Sequence, residues 1–397
     1  KSNKTINDNL ARIKKRNGQI FVLFIVRHAS QWKYQGIYEL FLLDKLFLVK
    51  ILVAIDVKNE SWKHDQILAL KKFQNYECEI LNAFDSNGHL LIHSKDLMPD
   101  IVFFPKVIEG YDPFSITHFE RSLNCYVPYS TYGDNNPELQ YNRIFHNLLW
   151  KHYVATEIHL KISRNVNYLK SKNVVVSGYP GFDNYLFGDA NYENDFSVWP
   201  FDGRKKIIWA PHHTIEVSDQ NSNHSNFLFY HDLFKEISYR FRKEVCFAFK
   251  PHPNLRLKLY RLEDWGTEIT DEYYNWWSRN ENTILVEGGY EDLFTHSDAL
   301  IHDSVSFMAE YLCLGKPSCY IVKDETLLKK FLNEFGLSLL SYHQKAHCRD
   351  DIYEFIENII SGEAKANDNK TVPNFLRANE MRSSEFIYSD IKNSFFS

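Results

Sequence analysis

The chain has 397 residues, 44% of them hydrophobic and 16% aromatic, so it holds enough apolar surface for more than one core and is not a disordered segment. A formal charge of -5 and a pI near 6.4 give no global electrostatic case for a phosphate-backbone binder, which argues against nucleic acid as a partner and leaves only local basic patches. The six cysteines are scattered without a C-x-x-C pair or zinc spacing, and no uncharged apolar run reaches the roughly 18 residues of a membrane span. Reduced thiols, no transmembrane helix and no signal peptide are therefore expected, with the cytoplasm as the compartment. The sequence opens on Lys1 rather than Met, so flanking segments beyond it are expected.

In chain order, residues 1–18 form a polar, basic lead-in, either frayed or a surface helix. "QIFVLFIV" then reads as a fully buried strand, "GIYELFLLDKLF" as a helix and "VKILVAID" as a second buried run. The alternation continues through "PDIVFF" (99–104) and "SLNCYVPY" (122–129), a helical stretch over "RIFHNLLWKHYVATEIHLKIS", and "NVVVSGYPGFDNYLF", where Gly178, Pro180 and Gly181 mark a turn. A polar spacer at 188–206 precedes a second set of short apolar strands: "KIIWAP", "VCFAFKPHP", "NTILVEG", "DALIHD" and "PSCYIV". The segment 362–374 reads as a linker before a last helix. Two open α/β units with parallel sheets follow: one over 19–190, one over 205–345, with C-terminal helices over 346–397 that are candidates to cross back to the first.

Ligands of open parallel sheets bind outside the carboxyl ends of the strands, where loops and helix N-termini converge. Three strands of the second half deliver unusual polar residues there: His212 and His213 after "WAP", Lys250 and His252 in "KPHP", and Asp303, Ser304 and Ser306 after "ALIH". From Ser304 onward Val305, Met308, Ala309 and Leu312 fall at helical spacing, so Asp303 or Ser304 stands at an N-cap whose free amides and hydroxyls suit a phosphate. A plain capping pair is the alternative. Prolines on both sides of His252 discourage helix and hold the imidazole at a strand end. No metal is expected at His212 and His213, because no partner stands at a recognised ligand spacing.

The stretches "CFAFKPHPNLR" and "DALIHDSVSFMAEYLCLGKPSCYI" resemble the CDP-glycerol glycerophosphotransferase (teichoic acid polymerase-like) family. Asp303, Ser306, Glu310, Lys316 and Pro317 fit its pattern, while Ser304 and Val305 stand where that family has an aromatic and its first serine. Weaker similarity runs through "SQWKYQGIYELF", "PDIVFFPKVIEGYDPF" and "CYVPYSTYG". The Trp-His-Gly-Thr-Pro motif that supplies a proposed base in the family's acceptor half is missing.

The resemblance implies a GT-B-like fold, two Rossmann-like domains whose parallel sheets face a central cleft, the first for the acceptor and the second for the nucleotide donor. It implies transfer of glycerol phosphate, or a related polyol phosphate, from a CDP-activated donor to a hydroxyl of a glycan or lipid-linked acceptor, with release of CMP and no cofactor. A CMP-sugar (Kdo or sialic acid) or another nucleotide sugar is the alternative donor, and an inactive nucleotide- or glycan-binding member the second alternative. His212, His213, Lys250, His252, Asp303, Ser304 and Ser306 would hold the donor phosphates, with His252 also catalytic. In "VEGGYEDLF", Gly288 permits close backbone approach, and Tyr290, Glu291 and Asp292, with Glu310, are nucleoside candidates, a helix cap being the alternative. His28, in "VRHASQW" after the first strand, is the first candidate for the acceptor base; His118 and the cluster Glu109, Tyr111 and Asp112 follow. A lipid-linked acceptor implies peripheral contact with the inner face of the membrane. The basic start and the aromatic tail "FIYSDIKNSFF" are candidates for that contact, against packing on their own domain.

Overall fold

The computed structural model describes residues 3–188, 198–200, 202–215, 224–364 and 376–396. The chain forms two compact units, one of Lys1–Thr131, Asn136–Phe187 and Asn374–Ser397, the other of Tyr132–Asn135 and Gly188–Pro373.

The first unit is built on seven parallel strands: β1 (Ile20–Val26), β2 (Phe47–Val53), β3 (Glu79–Asn82), β4 (Ile101–Phe104), β5 (Leu123–Tyr126), β6 (Lys151–Val154) and β7 (Val174–Val176), in the order β3-β2-β1-β4-β5-β6-β7. The second has six: β8 (Lys205–Ala210), β9 (Val245–Phe249), β10 (Thr283–Leu285), β11 (Ala299–His302), β12 (Ser318–Ile321) and β13 (Gln344–Ala346), in the order β10-β9-β8-β11-β12-β13. Both are doubly wound α/β sheets of the GT-B-like class. The central strands are apolar on both faces because helices cover both faces. In β1 every residue but Phe21 is buried, and Phe24 stacks on Phe103 of β4 at 4.7 Å. In the second unit Trp209 of β8 stacks on Phe234 at 4.0 Å.

Strand order reverses beside the first strand of each sheet, so the crevices lie between β1 and β4 and between β8 and β11. Those two points are where side chains after a strand converge on a ligand.

The single helix expected around 143–163 is three elements: a helix Ile144–Asn147, strand β6, and a helix Glu157–Val166. Lys151 and His152 look out of place in a buried strand, but Lys151 Nζ meets Asp390 Oδ2 at 2.6 Å while His152 is fully buried. The short strands β3 and β13 were also hidden; both are sheet edges whose half-exposed residues carry no continuous apolar run.

The lead-in is a docked helix, Asn3–Lys15, with Ile13 buried, Arg16 paired with the buried Asp100, and Asn9 Nδ2 donating to the Glu120 carbonyl at 2.9 Å. The C-terminal residues divide. Helix Arg349–Ser361 stays in the second unit, where Ile352, Phe355, Ile356 and Ile359 complete its core. Helix Ser383–Phe396 belongs to the first, where the Asp183 carboxylate accepts from Ser383 N and Ser384 N at 2.8 and 2.9 Å. Part of the spacer (189–197 and 201) and most of the linker (365–375) lie outside the described residues. Among the described residues no helix is long and apolar enough to cross a membrane.

Candidate functional site

In the second unit the loops after β8, β9 and β11 meet at the switch point. The ring centroids of His212 and His213 are 4.3 Å apart, those of His213 and His252 4.1 Å, and those of His212 and His252 5.0 Å. His252 is not merely held at a strand end: it is the N-cap of helix Pro253–Leu259, because proline is tolerated at the first helical position, where its missing N–H has no partner to lose.

That cap sets the chemistry of the ring. His252 Nδ1 accepts from Asn254 N at 3.1 Å; a backbone N–H can only donate, so the neutral imidazole carries its hydrogen on Nε2. Burial pushes its pKa down to about 3, with His213, Lys250 and Lys258 adding to the effect, so the ring is neutral near pH 7. His212 is likewise depressed by burial and by its histidine neighbours. The ligand nitrogens of the three histidines lie within 4.8 Å of one another, a separation compatible with a metal ion. A metal, however, needs lone pairs, and His252 presents an N–H in this arrangement. His252 therefore has a hydrogen-bond donor, not an acceptor, on its Nε2.

Lys250 is the second element. It is 3% exposed, and among the described residues its Nζ makes no hydrogen bond or ion pair; it lies over the Tyr290 ring at 6.0 Å. Burial lowers its pKa to about 8, partly offset by Glu287 and Glu291. A largely buried charge without a direct partner is costly.

The third element is helix Val305–Leu312. Ser304 is its N-cap, as its spacing implied, but makes no side-chain cap; its Oγ lies 3.1 Å from Ser306 Oγ instead. The first-turn amides and two hydroxyls are therefore presented together beside the switch point.

Asp303 has a different place from the one expected. Its carboxylate accepts from His212 N and Asn226 N, both at 2.6 Å, so it ties the β8 loop and the start of helix Phe227–Arg240 to β11. Burial raises its pKa to about 6 against those bonds. It positions the site rather than facing a phosphate, which a like-charged carboxylate would repel. Asn226 carried no signal in the sequence, since only the fold brings it to Asp303. Lys316 is also architectural: its Nζ donates to the carbonyls of Phe294, Thr295 and Ser297 at 3.0, 2.6 and 2.7 Å.

The nucleoside candidates separate. Tyr290 caps helix Glu291–Thr295, packs on Phe294 and Phe307, and hydrogen-bonds the buried Glu310. Asp292 is engaged by His296 Nδ1 at 2.9 Å and Val198 N at 3.3 Å, and Glu291 Oε2 accepts from Tyr290 N at 3.2 Å. A Cβ at Gly288 would meet nothing within 4 Å, so no close approach demands glycine there.

In the first unit His28 follows β1 at the switch point, half-buried, as N-cap of the 3-10 turn Ala29–Gln31. Beside it Arg27, 6% exposed, pairs with Asp112 at 2.8 Å and Asp56 at 3.8 Å. Glu109 is taken up by Arg143 and by Phe145 N, and Tyr111 is fully exposed. His118 is not brought to His28. It is exposed on the turn Ile116–Phe119 leading into β5, near residues that meet the N-terminal helix, at the amino edge of the sheet.

Comparisons with known proteins bear on the fold and the family. No curated protein sequence matches the chain. Among solved structures, a variant of the wall teichoic acid polymerase TagF is similar at TM-score 0.64 and 12% identity, covering 99% of this chain and 96% of that one. The UDP co-structure of S. aureus MnaA gives 0.58 at 15% identity over 95% and 96%. The UDP-GlcNAc 2-epimerase of Neisseria meningitidis bound to UDP-GlcNAc gives 0.58 at 15% over 94% and 100%. At these identities the likeness establishes the fold. Residues 131–391, most of the chain, match the family model of CDP-Glycerol:Poly(glycerophosphate) glycerophosphotransferase. The chain is therefore a transferase that belongs to the CDP-glycerol:poly(glycerophosphate) glycerophosphotransferase family.

Proposed function

We propose that the second unit binds a CDP-linked polyol, with CDP-glycerol as donor, and that glycerol phosphate passes to a hydroxyl of a cell-surface glycan or lipid-linked acceptor. The observation that carries this reading is Lys250, a buried cation with no direct partner among the described residues, beside His252 and the open N-terminus of helix Val305–Leu312. A diphosphate satisfies all three at once. The acceptor oxygen attacks the phosphorus that bears glycerol, the bond to the CMP oxygen breaks, and CMP leaves with the electron pair. Charge growing on CMP falls to Lys250, to the Nε2–H of His252 and to Ser304, Ser306 and the first-turn amides. His213 lies within reach of the same anion, Asp303 holds the His212 loop in place, and Tyr290 with Glu310 borders the nucleoside. His28, at the switch point of the first unit, is our candidate for the acceptor base. A lipid-linked acceptor places the enzyme at the inner face of the membrane.

Thermal-shift titration with CDP-glycerol, CMP, CMP-Kdo, CMP-sialic acid, UDP-sugars and UMP tests the reading. Stabilisation by CDP-glycerol and CMP, with transfer abolished in a folded His252→Ala variant, is the expected result. A response confined to a CMP-sugar would move the reaction to sugar transfer. No response to any cytidine nucleotide would overturn the donor site.

A further inference from the structure

Residues Tyr132–Asn135 follow β5 in the sequence but belong to the second unit, and the chain leaves that unit again at Asn136, the N-cap of helix Pro137–Tyr141. The segment is fixed there by Asn333, which is 6% exposed and stands between the helices Glu325–Phe331 and Glu334–Leu340. Asn333 N donates to the Gly133 carbonyl at 3.0 Å, and its Nδ2 donates to the carbonyls of Tyr132 at 2.8 Å and Asp134 at 3.1 Å. Asn135 N donates to the Phe331 carbonyl at 2.6 Å, and Asp134 bridges Leu332 in antiparallel fashion. The same Asn333 caps helix Glu334–Leu340, its Oδ1 accepting from Gly336 N at 2.9 Å. One buried residue thus pairs the carbonyls of the segment and a free N–H of the helix, which holds Gly133 at one place.

Two glycines meet where the backbones cross, for different reasons. A Cβ on Gly336 would run into the carbonyl oxygen of Gly133, so glycine is needed there for the chains to pass. A Cβ on Gly133 would lie 3.6 Å from Gly336 Cα, an ordinary contact, so the crossing itself tolerates alanine at 133. The atom that forbids it is Val305 Cγ1, which would lie 2.5 Å away. Val305 opens helix Val305–Leu312, between Ser304 and Ser306, and its β-branched side chain is stiff about χ1 in a helix, so the methyl does not swing aside freely. The crossing explains Gly336; the start of the helix explains Gly133.

We propose that Gly133 is a positioning residue for the phosphate site, an inference that rests on the reading of this helix turn as part of the donor site. The backbone at Gly133 is the surface on which Val305 rests, and Val305 sets the place of Ser304 Oγ, Ser306 Oγ and the first-turn amides. Gly133 touches no ligand in this role. Carbon atoms pack at about 3.5–4.0 Å, so a methyl at 133 has to drive Val305 back by about 1 Å or more. The segment is tied down by its bonds to Phe331 and Asn333, so the displacement falls on Val305 and the turn it opens. Hydrogen bonds to a charged oxygen hold at about 2.7–2.9 Å, and a shift of that size breaks or misaligns them.

The test uses the full chain and compares Gly133→Ala, Val305→Ala and the two together by calorimetric titration with CMP, urea unfolding, and the amide resonances of Ser304, Val305 and Ser306. Gly133→Ala should move those resonances without any ligand and weaken CMP binding about tenfold or more. In the Val305→Ala background the obstructing methyl is gone, so the same change should cost less than about twofold. A glycine that served packing alone would lower the urea midpoint and leave the affinity of the folded chain unmoved. Asn333→Asp decides the matter if Gly133→Ala does not fold: it keeps an oxygen for Gly336 N, withdraws the donors to Tyr132 and Asp134, and should weaken CMP binding about threefold or more. CMP affinity within about twofold of wild type in folded Gly133→Ala, or in Asn333→Asp where that variant decides, overturns the role, as does a loss that Val305→Ala fails to recover. Failure of the wild-type chain to bind CMP overturns the donor reading instead, and the ligand-free resonances then decide the link between Gly133 and the helix turn.

Discussion

Replacing Lys250 by Met separates function from stability in a single residue. The ammonium is 3% exposed, and its pKa falls from 10.5 to about 8 because burial disfavours the charged form. That depression corresponds to about 3 kcal/mol by which folding is weakened while the lysine is charged. The unfolded chain holds the proton up to pH 10.5 and the folded chain only to about 8, so the penalty is complete below pH 8 and fades as pH rises from there to 10.5. Met fills similar space without the charge. Lys250→Met should therefore be more stable than wild type near pH 7 by up to about 3 kcal/mol, which is roughly 5–10 °C in Tm for a unit of this size. The gain should shrink toward pH 10. The same change removes a charge-assisted contact to the donor, so CMP should bind about 1.5–3 kcal/mol more weakly, ten- to a hundredfold in Kd. Differential scanning calorimetry across pH 7 to 10 and isothermal titration with CMP read the two effects. A variant that is less stable than wild type and binds CMP normally would refute the argument that Lys250 is kept for an anion.

Ser306→Ala should weaken CMP binding by about 1.5–3 kcal/mol, the worth of one hydrogen bond to a charged group, and unchanged affinity in calorimetry would remove the hydroxyl from the site. Lys316→Ala should do the opposite: it frees three carbonyls at and just beyond the end of helix Glu291–Thr295, so urea unfolding should show a loss of about 1–3 kcal/mol with CMP affinity intact. His146, His152, His302 and His343 are buried neutral, their pKa values depressed chiefly by desolvation, to about 3 for His146 and His343. Their unfolded forms take up protons below about pH 6.5, so stability is full above that pH and falls beneath it, by about 1.4 kcal/mol for each histidine at pH 5.5. Urea midpoints in both units should drop between pH 7.5 and 5.5, and midpoints that stay level would show that the rings charge without unfolding.

The fold was legible where burial is local. Strands β1, β4, β9 and β11 are short, almost wholly apolar runs closed by a polar or Gly/Pro turn, the pattern of a parallel strand covered on both faces, and β2 and β8 follow it apart from Lys50 and the opening Lys205 and Lys206. It failed where a strand borrows its compatibility from elsewhere. Strand β6 carries Lys151 because Asp390 of the last helix receives it, and nothing near residue 151 foretells that partner. The Lys-Pro step after helix Val305–Leu312 could be read as a family mark but not as a clamp, since its carbonyl partners belong to a separate helix and turn.

Residue chemistry at the strand ends was therefore readable from the chain alone: imidazoles, a lysine and serine hydroxyls follow β8, β9 and β11, and proline with N-cap chemistry holds His252 and Ser304 in place. Which of these groups meet was decided by strand order, because β11 returns to pair with β8 rather than with β10. That crossover makes the three loops neighbours, turns Asp303 inward onto the amides of His212 and Asn226, and leaves Lys250 buried without a direct partner among the described residues. Local propensity acts over a few residues along the chain, whereas pairing and burial act across all of it, and only the second can say whether a charged side chain is a strut or waits for a ligand.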